Sequence, residues 1–469
     1  MGFHSSFVST TITSQTTKTH MDILALLQPI NGCLSKTTLH QMSRVIFAML
    51  AMTGRITMLG LSRWSGEGGS YRTIQRFYQT AIPWATLFWQ FFSQSLWQKE
   101  DVYILAGDEC VVSKAGKKTY GLDYFFSGLQ QKVIPSLSFF VLSLVSVQQH
   151  HSYPLSVEQI IRSPEEKAAS QAKKDEKKSR AAEPKRKRGR PKGSKSKKKT
   201  EVSLNPELLR IQKMTKALLL LISSLVQPVY LALDGHFGNY PTYLMVRQCS
   251  LHLISKLRWD AALCFAFAGE YKGRGPHPKY GDRVDYQHIP EKYLKSTTVA
   301  EGIQTCIYQA QLLHPDFPDP LNVVIIVKTN LTTNAWAHVI LFSSDLSLSY
   351  DKLIAYYSLR FQLEFNFRDA KQFWGLEDFM NVNQMAVTNA ANLSLFLVNV
   401  SQWLMSKFRQ SDPDFSVLDL KAYFRGCKYA TELIKMLPQK PDAIFVSQLL
   451  QRIATLGSIH PVKPPVSSG

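Results

Sequence analysis

Residues 102–108, VYILAGD, decide the fold class of this chain. Every residue before the terminal aspartate is apolar, aromatic or glycine, and so short an apolar run is typical of a buried strand. Residues 229–234, VYLALD, repeat this pattern of a buried strand that ends in an acid. Residues 119–126 and 137–147 predict two more strands, so the chain contains a buried sheet.

Helical patterns are interleaved with these strands. Residues 204–225 form an amphipathic pattern, residues 240–247 a shorter helical one, and residues 251–257 a further strand. Three strands followed by helix, strand, helix and strand predict a mixed α/β core. Residues 259–348 are punctuated by Gly and Pro between β-like runs, which predicts a β-rich insertion behind the core.

Both ends of the chain have a helical pattern. Apolar residues recur at three- and four-residue steps before residue 98 and again after residue 353. The predicted fold is therefore α/β, with helical N-terminal and C-terminal regions around the core. The predicted boundaries are residues 1–100 (N-terminal region), 101–258 (first part of the core), 259–348 (insertion), 349–410 (end of the core) and 411–469 (C-terminal region).

The positive charge is concentrated in one segment. The 469 residues carry 55 Lys+Arg against 35 Asp+Glu, a formal charge of +20. Residues 162–200 contain 17 Lys+Arg and 5 Asp+Glu, so this segment holds +12 and the other 430 residues hold +8. Because it has almost no large apolar side chains, we predict a disordered, solvated insertion over residues 162–203. Such a charge indicates a polyanionic partner.

Arg188, Gly189, Arg190 and Pro191 form the centre of this basic segment. They resemble an AT-hook, in which an extended Arg-Gly-Arg lies in the narrow, negative minor groove of A·T-rich DNA. The alternatives are a generic polybasic tail and, by resemblance, a nuclear localisation signal. The hook and the generic tail both imply contact with DNA.

The sequence predicts neither a membrane-spanning segment nor a disulfide-bonded fold. The longest apolar runs, residues 137–147 and 217–226, are well short of the ~20 residues of a membrane span. A polybasic protein of the membrane surface would need an amphipathic basic helix or a second anchor, and neither is evident. The six cysteines lie far apart, which predicts reduced thiols and a cytoplasmic protein.

Asp108 and Asp234 are the first candidates for chemistry. Each follows a buried strand, so each is expected at an edge of the sheet, where two carboxylates can meet. Their mutual repulsion is offset if a divalent cation lies between them. The alternative for either residue alone is an aspartate that begins a turn.

Tyr357, Arg360, Glu364 and Lys371 are the second group of candidates. If residues 354–374 form one helix, Arg360 lies ~40° from Glu364, and Tyr357 and Lys371 each lie ~20° from it on opposite sides. One acid, two bases and a phenol then form a single stripe between aromatic residues. The alternative is a plain i, i+4 ion pair of Arg360 and Glu364 on a solvated face.

A third pattern lies in the N-terminal region. Residues 58–64 and 70–77 are helical in pattern, and a glycine-rich turn, residues 65–69, separates them. Helix, turn and second helix with Arg and Thr resemble a DNA-binding helix-turn-helix. An ordinary corner of an all-α bundle is the alternative.

The spacing Tyr-(2)-Arg-(3)-Glu-(6)-Lys, filled by Tyr357, Arg360, Glu364 and Lys371, resembles the signature of bacterial insertion-sequence transposases of the Asp-Asp-Glu (DDE) type. The resemblance covers roughly residues 100–410. It implies a ribonuclease-H-like core and a DNA transposase, an endonuclease that also acts in DNA recombination. The chain departs from the simplest family layout in its basic insertion and in its terminal regions.

In that family the first Asp lies on the first strand, the second after the fourth strand and the Glu on a later helix. Asp108, Asp234 and Glu364 follow this order. The resemblance implies that they hold two Mg²⁺ ions, for which Mn²⁺ can substitute, with Asp108 bridging the metals. The metals would activate a water or a DNA 3′-hydroxyl and stabilise the leaving oxygen.

The resemblance gives the remaining signature residues a role in DNA binding. Arg360 and Lys371 would neutralise phosphates that flank the cut, and Tyr357 would hydrogen-bond or stack beside the cleaved strand. Asp123 and His236 are nearby alternatives for the site. Asp369 points ~140° away from Glu364 on the helix and is left out.

Partners follow from the same resemblance. We expect double-stranded DNA, both the terminal inverted repeats of a mobile element and its target, and a homodimer in the DNA complex. Residues 418–456 are the expected dimer contact, and dimerisation only on DNA is equally compatible. The resemblance places the protein at the bacterial nucleoid. The alternative function is a catalytically inactive or domesticated DNA-binding descendant of a transposase.

Overall fold

A computed structural model describes residues 23–460 except 67, 129, 183–201, 271–272, 274, 411, 440 and 455. The helices in this part of the chain are α1 (Ile23–Leu26), α2 (Lys36–Ala51), α3 (Met58–Trp64), α4 (Tyr71–Gln79), α5 (Trp84–Ser95), α6 (Pro164–Ala182), α7 (Pro206–Ile222), α8 (Tyr240–Arg247), α9 (Tyr350–Leu359), α10 (Gln362–Gln372), α11 (Gln384–Phe408), α12 (Val417–Met436) and α13 (Ala443–Ala454). The strands are β1 (Tyr103–Ser113), β2 (Asp123–Ser127), β3 (Lys132–Ser146), β4 (Ser152–Gln159), β5 (Tyr230–Ala232), β6 (His252–Leu257), β7 (Cys264–Ala266), β8 (Tyr280–Arg283), β9 (Leu294–Ala300), β10 (Ile303–Leu312), β11 (Leu321–Asn330) and β12 (Trp336–Ser343).

One mixed sheet organises the molecule. Its order is β2-β3-β1-β5-β6-β12-β11-β10-β9, and β4 pairs with β3. The central strands β1, β5 and β6 run parallel, and their neighbours β3 and β12 run antiparallel to them. Because β12 pairs directly with β6, the predicted β-rich insertion continues the core sheet and is not a separate layer. The predicted α/β fold with a ribonuclease-H-like core and helical flanks is confirmed.

The strand that carries Asp108 is longer than the sequence pattern predicts. The apolar run suggests an end at Asp108, but β1 continues to Ser113 and pairs with β3 along its whole length. Strand β4 has no counterpart among the predicted strands, because Pro154 within it argues against a strand. The β3–β4 register shifts next to Pro154, so the missing N–H of proline falls at an irregularity.

The first half of the basic insertion is helical, which corrects the expectation that residues 162–203 lack structure. The backbone N–H of Ser163 donates to Glu166, and the N–H of Glu166 donates to the Ser163 hydroxyl, which together form a capping box. Arg210 on α7 also binds Glu166, with 2.8 Å between nitrogen and oxygen. Helix α6 has almost no apolar side chains, but Ala, Lys and Glu are strong helix formers.

The single helix expected over residues 354–374 is two helices. At Arg360 and Phe361 the backbone N–H groups bond three residues back, to Tyr357 and Ser358, and this tight turn separates α9 from α10. The wheel angles calculated for one continuous helix therefore do not hold between Tyr357 and Glu364.

Helix α11 joins the N-terminal helices to the core. Its residues 393–400 are all buried, and it packs against β4, α4, α5 and α10. The Asn389 side chain, which is fully buried, accepts from the indole N–H of Trp84 and donates to the carbonyls of Tyr78 and Thr80. This amide fixes the C-terminal end of α4 to α11.

Candidate active site

The sheet register brings Asp108 and Asp234 to the same edge. Strands β1 and β5 pair in parallel at Leu105–Leu231 and Ala106–Ala232. Each aspartate lies two residues beyond the last of these pairs: Asp234 follows the carboxyl end of β5, and Asp108 lies within β1 at the level where its pairing with β5 has ended. Ligand and catalytic sites of open α/β sheets form at such ends.

Asp234 also begins a turn, which is the alternative that its residue type suggests. Its carboxylate accepts from the backbone N–H of His236 at 3.0 Å, and its carbonyl accepts from the Ser255 hydroxyl at 2.7 Å. The turn lies close to β6, since a side chain at Gly238 would come within 2.1 Å of the Lys256 carbonyl oxygen. The turn and the edge position are compatible, because the second carboxylate oxygen is not used by the turn.

Glu364 reaches this edge through Arg360. The Arg360 guanidinium donates to Asp108 Oδ2 at 2.6 Å and to Glu364 Oε1 at 3.2 Å. Its side chain is only 7% exposed, whereas that of Glu364 is 50% exposed. The predicted Arg360–Glu364 pair therefore exists, but the arginine is buried in the site and does not lie on a solvated face.

The three acids act on one another electrostatically. Burial raises the pKa of Asp108 to about 6; Arg360 and the N–H of Glu109 oppose this, and the charges of Asp234 and Glu364 add to it. Burial alone would lower the pKa of Arg360, but the Asp108 carboxylate, followed by the other neighbours, raises it overall. The site is therefore an acidic pocket with one internal cation.

Tyr357 lies beside Arg360, and Lys371 binds β1 three residues beyond Asp108. Burial raises the pKa of Tyr357, whose ring centre is 5.9 Å from the Arg360 guanidinium carbon. The Lys371 ammonium donates to the Val111 carbonyl at 2.8 Å and lies 3.5 Å from Glu377. Arg360 and Lys371 are thus both engaged by protein groups at the positions where the resemblance placed phosphate contacts.

The carboxylates of the site are suitable ligands for a divalent metal, but the Arg360 guanidinium lies between two of them, Asp108 and Glu364. Carboxylate oxygens are the ligands that Mg²⁺ prefers. In the described ranges, however, no three His, Cys, Asp or Glu side chains stand close enough together to hold a metal ion. The Arg360 guanidinium bridges Asp108 and Glu364, so these two acids could share a metal only after Arg360 has moved.

The alternative residues are engaged elsewhere. Asp123 on β2 lies 3.4 Å from Lys167, and Asp369 on α10 binds its neighbour Arg368 at 2.9 Å. His236 is exposed and lies 4.0 Å from Glu207. The residues Arg188, Gly189, Arg190 and Pro191 of the basic segment lie outside the described residues.

A column of aromatic rings, which sequence reasoning missed, lies at the same edge of the sheet. The rings of Trp336 and His338 stack at 5.3 Å, and those of His338 and Tyr286 at 4.4 Å. His338 Nε2 donates to the carbonyl of Trp259, whose own side chain is 70% exposed. The start of β12 extends past Leu257, the last residue of β6, and this places the column on the Asp234 side of the sheet. The sequence could have indicated this column, because side chains two residues apart on a strand, such as Trp336 and His338, lie on the same face of the sheet.

None of the helices in the described part of the chain is long and apolar enough to span a membrane. No curated protein matches the sequence. A family model described as DDE superfamily endonuclease matches residues 29–311, which is more than half of the chain and includes Asp108 and Asp234. Together with the mixed sheet and its acidic edge, this match identifies the chain as a member of the DDE superfamily of endonucleases, the group that contains the DDE-type transposases.

Proposed function

We propose that this endonuclease is a DNA transposase that cleaves at the ends of its own mobile element and joins them to target DNA. The observation that carries the proposal is the sheet register, which sets Asp108 and Asp234 side by side, with Glu364 bound to the same arginine as Asp108. Three acids supplied by two strands and a later helix are the arrangement that the DDE resemblance implies.

Each acid has a distinct position for this chemistry. The Asp108 side chain is 20% exposed, less than that of Glu364, and it contacts the internal cation directly, which favours it as the shared ligand. Glu364 is half exposed and can turn toward an incoming strand. We propose that Asp108, Asp234 and Glu364 hold two divalent ions, Mg²⁺ or Mn²⁺, once Arg360 has left the pocket.

DDE nucleases generally use divalent metals, which make the attacking oxygen nucleophilic and stabilise the leaving one. The protein groups bind and orient the strand. Arg360, when released from Asp108, is close enough to contact a phosphate next to the cut, and Lys371 stands further along α10 for a neighbouring phosphate. Tyr357 offers a phenol and a ring beside the cleaved strand, and the exposed faces of Trp259 and Trp336 can accept bases by stacking.

The rest of the molecule is assigned to DNA binding and assembly. We propose that residues 1–100 bind DNA, that residues 101–258 and 349–410 form the catalytic core around the insertion at 259–348, and that Arg188 to Pro191 contact the minor groove. Residues 411–469 are proposed to pair two copies, since Leu433, Met436 and Ile444 there are 63%, 80% and 68% exposed. A DNA substrate places the protein at the bacterial nucleoid.

Cleavage of a defined DNA end tests the catalytic assignment. Purified protein with Mg²⁺ should cut a duplex that carries the terminal repeats of its element. Glu364→Gln should bind this duplex with unchanged affinity but cut it at least about a thousandfold more slowly, because an amide is a poor metal ligand.

Asp369→Asn is the matched control on the same helix. Asp369 pairs with its neighbour Arg368 and is not part of the pocket, so this variant should cut at the wild-type rate. Cutting by Glu364→Gln at the rate of Asp369→Asn would contradict the site assignment. A wild-type protein that binds the ends but never cuts them would favour the inactive descendant.

Deletion of residues 183–201 tests the basic segment. Their positive charge should release counterions on binding, so the deletion should weaken DNA affinity and flatten its dependence on salt. Cleavage of DNA that is already bound should continue. An unchanged salt slope would show that this segment does not contact DNA.

A further inference from the structure

The outer face of α4 carries polar side chains that have no hydrogen-bond or ion-pair partner among the described residues. Arg72, Gln75, Arg76 and Gln79 are exposed, whereas Ile74, Phe77 and Tyr78 on the opposite face are buried. None of these four polar side chains makes a hydrogen bond or ion pair with another described residue. An amphipathic helix normally turns such a face to water, but two cations that pair with no described acid make this face strongly positive.

The segment that contains α4 is also poor in acids, although one of its cations, Arg55, pairs with Asp378 of another segment at 3.3 Å. Residues 23–98 contain six Lys or Arg and one acid, Glu67. The other basic residues lie on α2, at the end of α3 and in the connections between them. A surface of this charge attracts a polyanion and repels an acidic protein.

The order and packing of α3 and α4 are those expected of a helix-turn-helix. Helix α3 is followed by a six-residue connection in which Gly66 and Gly68 have positive φ angles, and Ser70 then caps α4 by accepting from the N–H of Thr73. Both helices pack on α2. The turn needs its glycines because other residues rarely adopt this backbone conformation.

Helix α4 is rigidly mounted. At its C-terminal end the buried Asn389 amide binds the carbonyls of Tyr78 and Thr80. Before α3, the Ile56 N–H donates to Asp378, in the segment that follows the catalytic helix α10. A recognition surface on a rigid element presents its side chains in a fixed geometry.

The four polar side chains span a length that matches DNA. From Arg72 to Gln79 is seven residues, or about 10 Å along the helix axis, which is the rise of about three base pairs. Arginine can bind guanine and glutamine can bind adenine through two hydrogen bonds in the major groove, which admits one α-helix.

We propose that α4 is the DNA-reading helix of this protein and that Arg72, Gln75, Arg76 and Gln79 contact base edges in the major groove. Gln75 and Arg76, at the centre of the face, determine which sequence is preferred. This inference rests on the proposed function, because it supplies the recognition of defined DNA ends that a transposase needs.

Selection of duplexes from a random pool tests the proposal and does not require the sequence of the element's ends. Binding in EDTA separates recognition from cleavage. Wild-type protein should enrich one short sequence and bind it at least about tenfold more tightly than a scrambled duplex. Gln75→Ala removes no charge and no hydrogen bond to a described residue, so it should lower this preference about tenfold and leave affinity for the scrambled duplex unchanged.

Arg76→Lys and Lys36→Ala sharpen the test. Arg76→Lys keeps the charge but loses the planar donor pair, so it should relax the preference at one base position. Lys36→Ala removes an exposed charge of the same region from α2, and it should lower affinity for both duplexes equally.

Two results would overturn the proposal. One is wild-type protein that enriches no sequence in EDTA; the other is a Gln75→Ala or Arg76→Lys variant with the wild-type preference. Neither result bears on the nuclease assignment, because cleavage and its loss in Glu364→Gln are measured separately with Mg²⁺ present.

Discussion

Arginines occur in two opposite settings in this molecule. The Arg360 side chain is 7% exposed and binds two carboxylates of the acidic pocket, whereas the Arg72 and Arg76 side chains on α4 are exposed and make no hydrogen bond or ion pair with a described residue. A phosphate or a base can bind the arginines of α4 without any cost in protein contacts. To bind a phosphate, Arg360 must first give up Asp108, which is itself enclosed.

The difference shows that residue type and spacing do not establish what a cation binds. Arg360 matches the spacing of a DNA-contacting residue, yet in this structure its partners are protein acids. The contrast divides the cations into those that hold the fold and pocket together and those that are available to DNA. This division predicts opposite effects of mutation on stability and on binding.

The largest effect is expected for Arg360→Ala. The change leaves the enclosed Asp108 beside Glu364 and Asp234 without their common cation, and loss of one partner from a buried pair costs about 3 kcal/mol of unfolding free energy. Urea unfolding measures it. Because a divalent ion can then replace the lost charge, Mn²⁺ should restore more stability to this variant than to wild type.

Arg368→Ala is its control. Arg368 also lies on α10 and pairs with an aspartate, but its side chain is 53% exposed. Arg368→Ala should lower the free energy of unfolding by less than about 1 kcal/mol, because exposed ion pairs contribute little to stability. Equal losses of stability for Arg360→Ala and Arg368→Ala would contradict the interpretation that Arg360 is a buried cation needed by the acids around it.

Much of the sheet could be predicted from the sequence, because its signals are local. The apolar runs that end in Asp108 and Asp234 located β1 and β5, and the alternation of strands and helices predicted a mixed α/β core, but the parallel pairing of β1 with β5 was found only in the structure. The lengths of these strands could not be predicted from the sequence. Past Asp108, β1 continues as the partner of β3, and residues 109–113 mix polar and apolar side chains and give no strong local signal.

The break between α9 and α10 could not be predicted from local sequence patterns. No Gly or Pro marks Arg360 and Phe361, so propensity and periodicity both predict one helix. The tight turn accompanies a contact between residues 252 positions apart, Arg360 and Asp108. The Arg360–Glu364 pair was foreseeable from the i, i+4 spacing, but its burial depended on the sheet edge that it meets.

A second buried cation predicts a dependence of stability on pH. Lys421 on α12 donates to the carbonyls of Met49 and Phe373, and burial, assisted by Arg425, lowers its pKa from 10.5 to about 8. Between these values the unfolded chain binds more protons than the folded one, so stability should rise as the pH rises from 8 to 10.5. The shift corresponds to at most about 3 kcal/mol.

Comparison with Lys421→Met isolates this contribution. Methionine does not titrate, so the unfolding free energy of wild type minus that of the variant should increase with pH across this window. The neighbouring lysine with the same shift, Lys114, is present in both proteins and cancels. A difference that stays constant from pH 8 to 10.5 would mean that Lys421 is not desolvated.

A smaller loss of stability is expected at Asn389, which attaches the C-terminal end of α4 to α11. Asn389→Ala leaves the Trp84 indole N–H and two carbonyls without their partner, which costs about 1–3 kcal/mol. Asn392→Ala is the matched control on α11, since among the described residues Asn392 donates only to the Thr388 carbonyl of its own helix. If α4 reads DNA as part of a rigid unit, Asn389→Ala should also reduce sequence preference, and Asn392→Ala should not.

The smallest effect on stability is expected at the exposed arginines themselves. Arg72→Ala removes no hydrogen bond or ion pair with a described residue, so its free energy of unfolding should stay within about 0.5 kcal/mol of wild type. Its affinity for the selected duplex should nevertheless fall about tenfold or more. Arg360→Ala should show the reverse order, with a large loss of stability and little loss of binding in EDTA, because its guanidinium is held by Asp108 and Glu364 when no metal is present. A thermal melt and a titration of each variant with the same duplex distinguish the two patterns. If Arg72→Ala melts earlier without weaker binding, then α4 is a structural helix and the division between the two groups of cations fails.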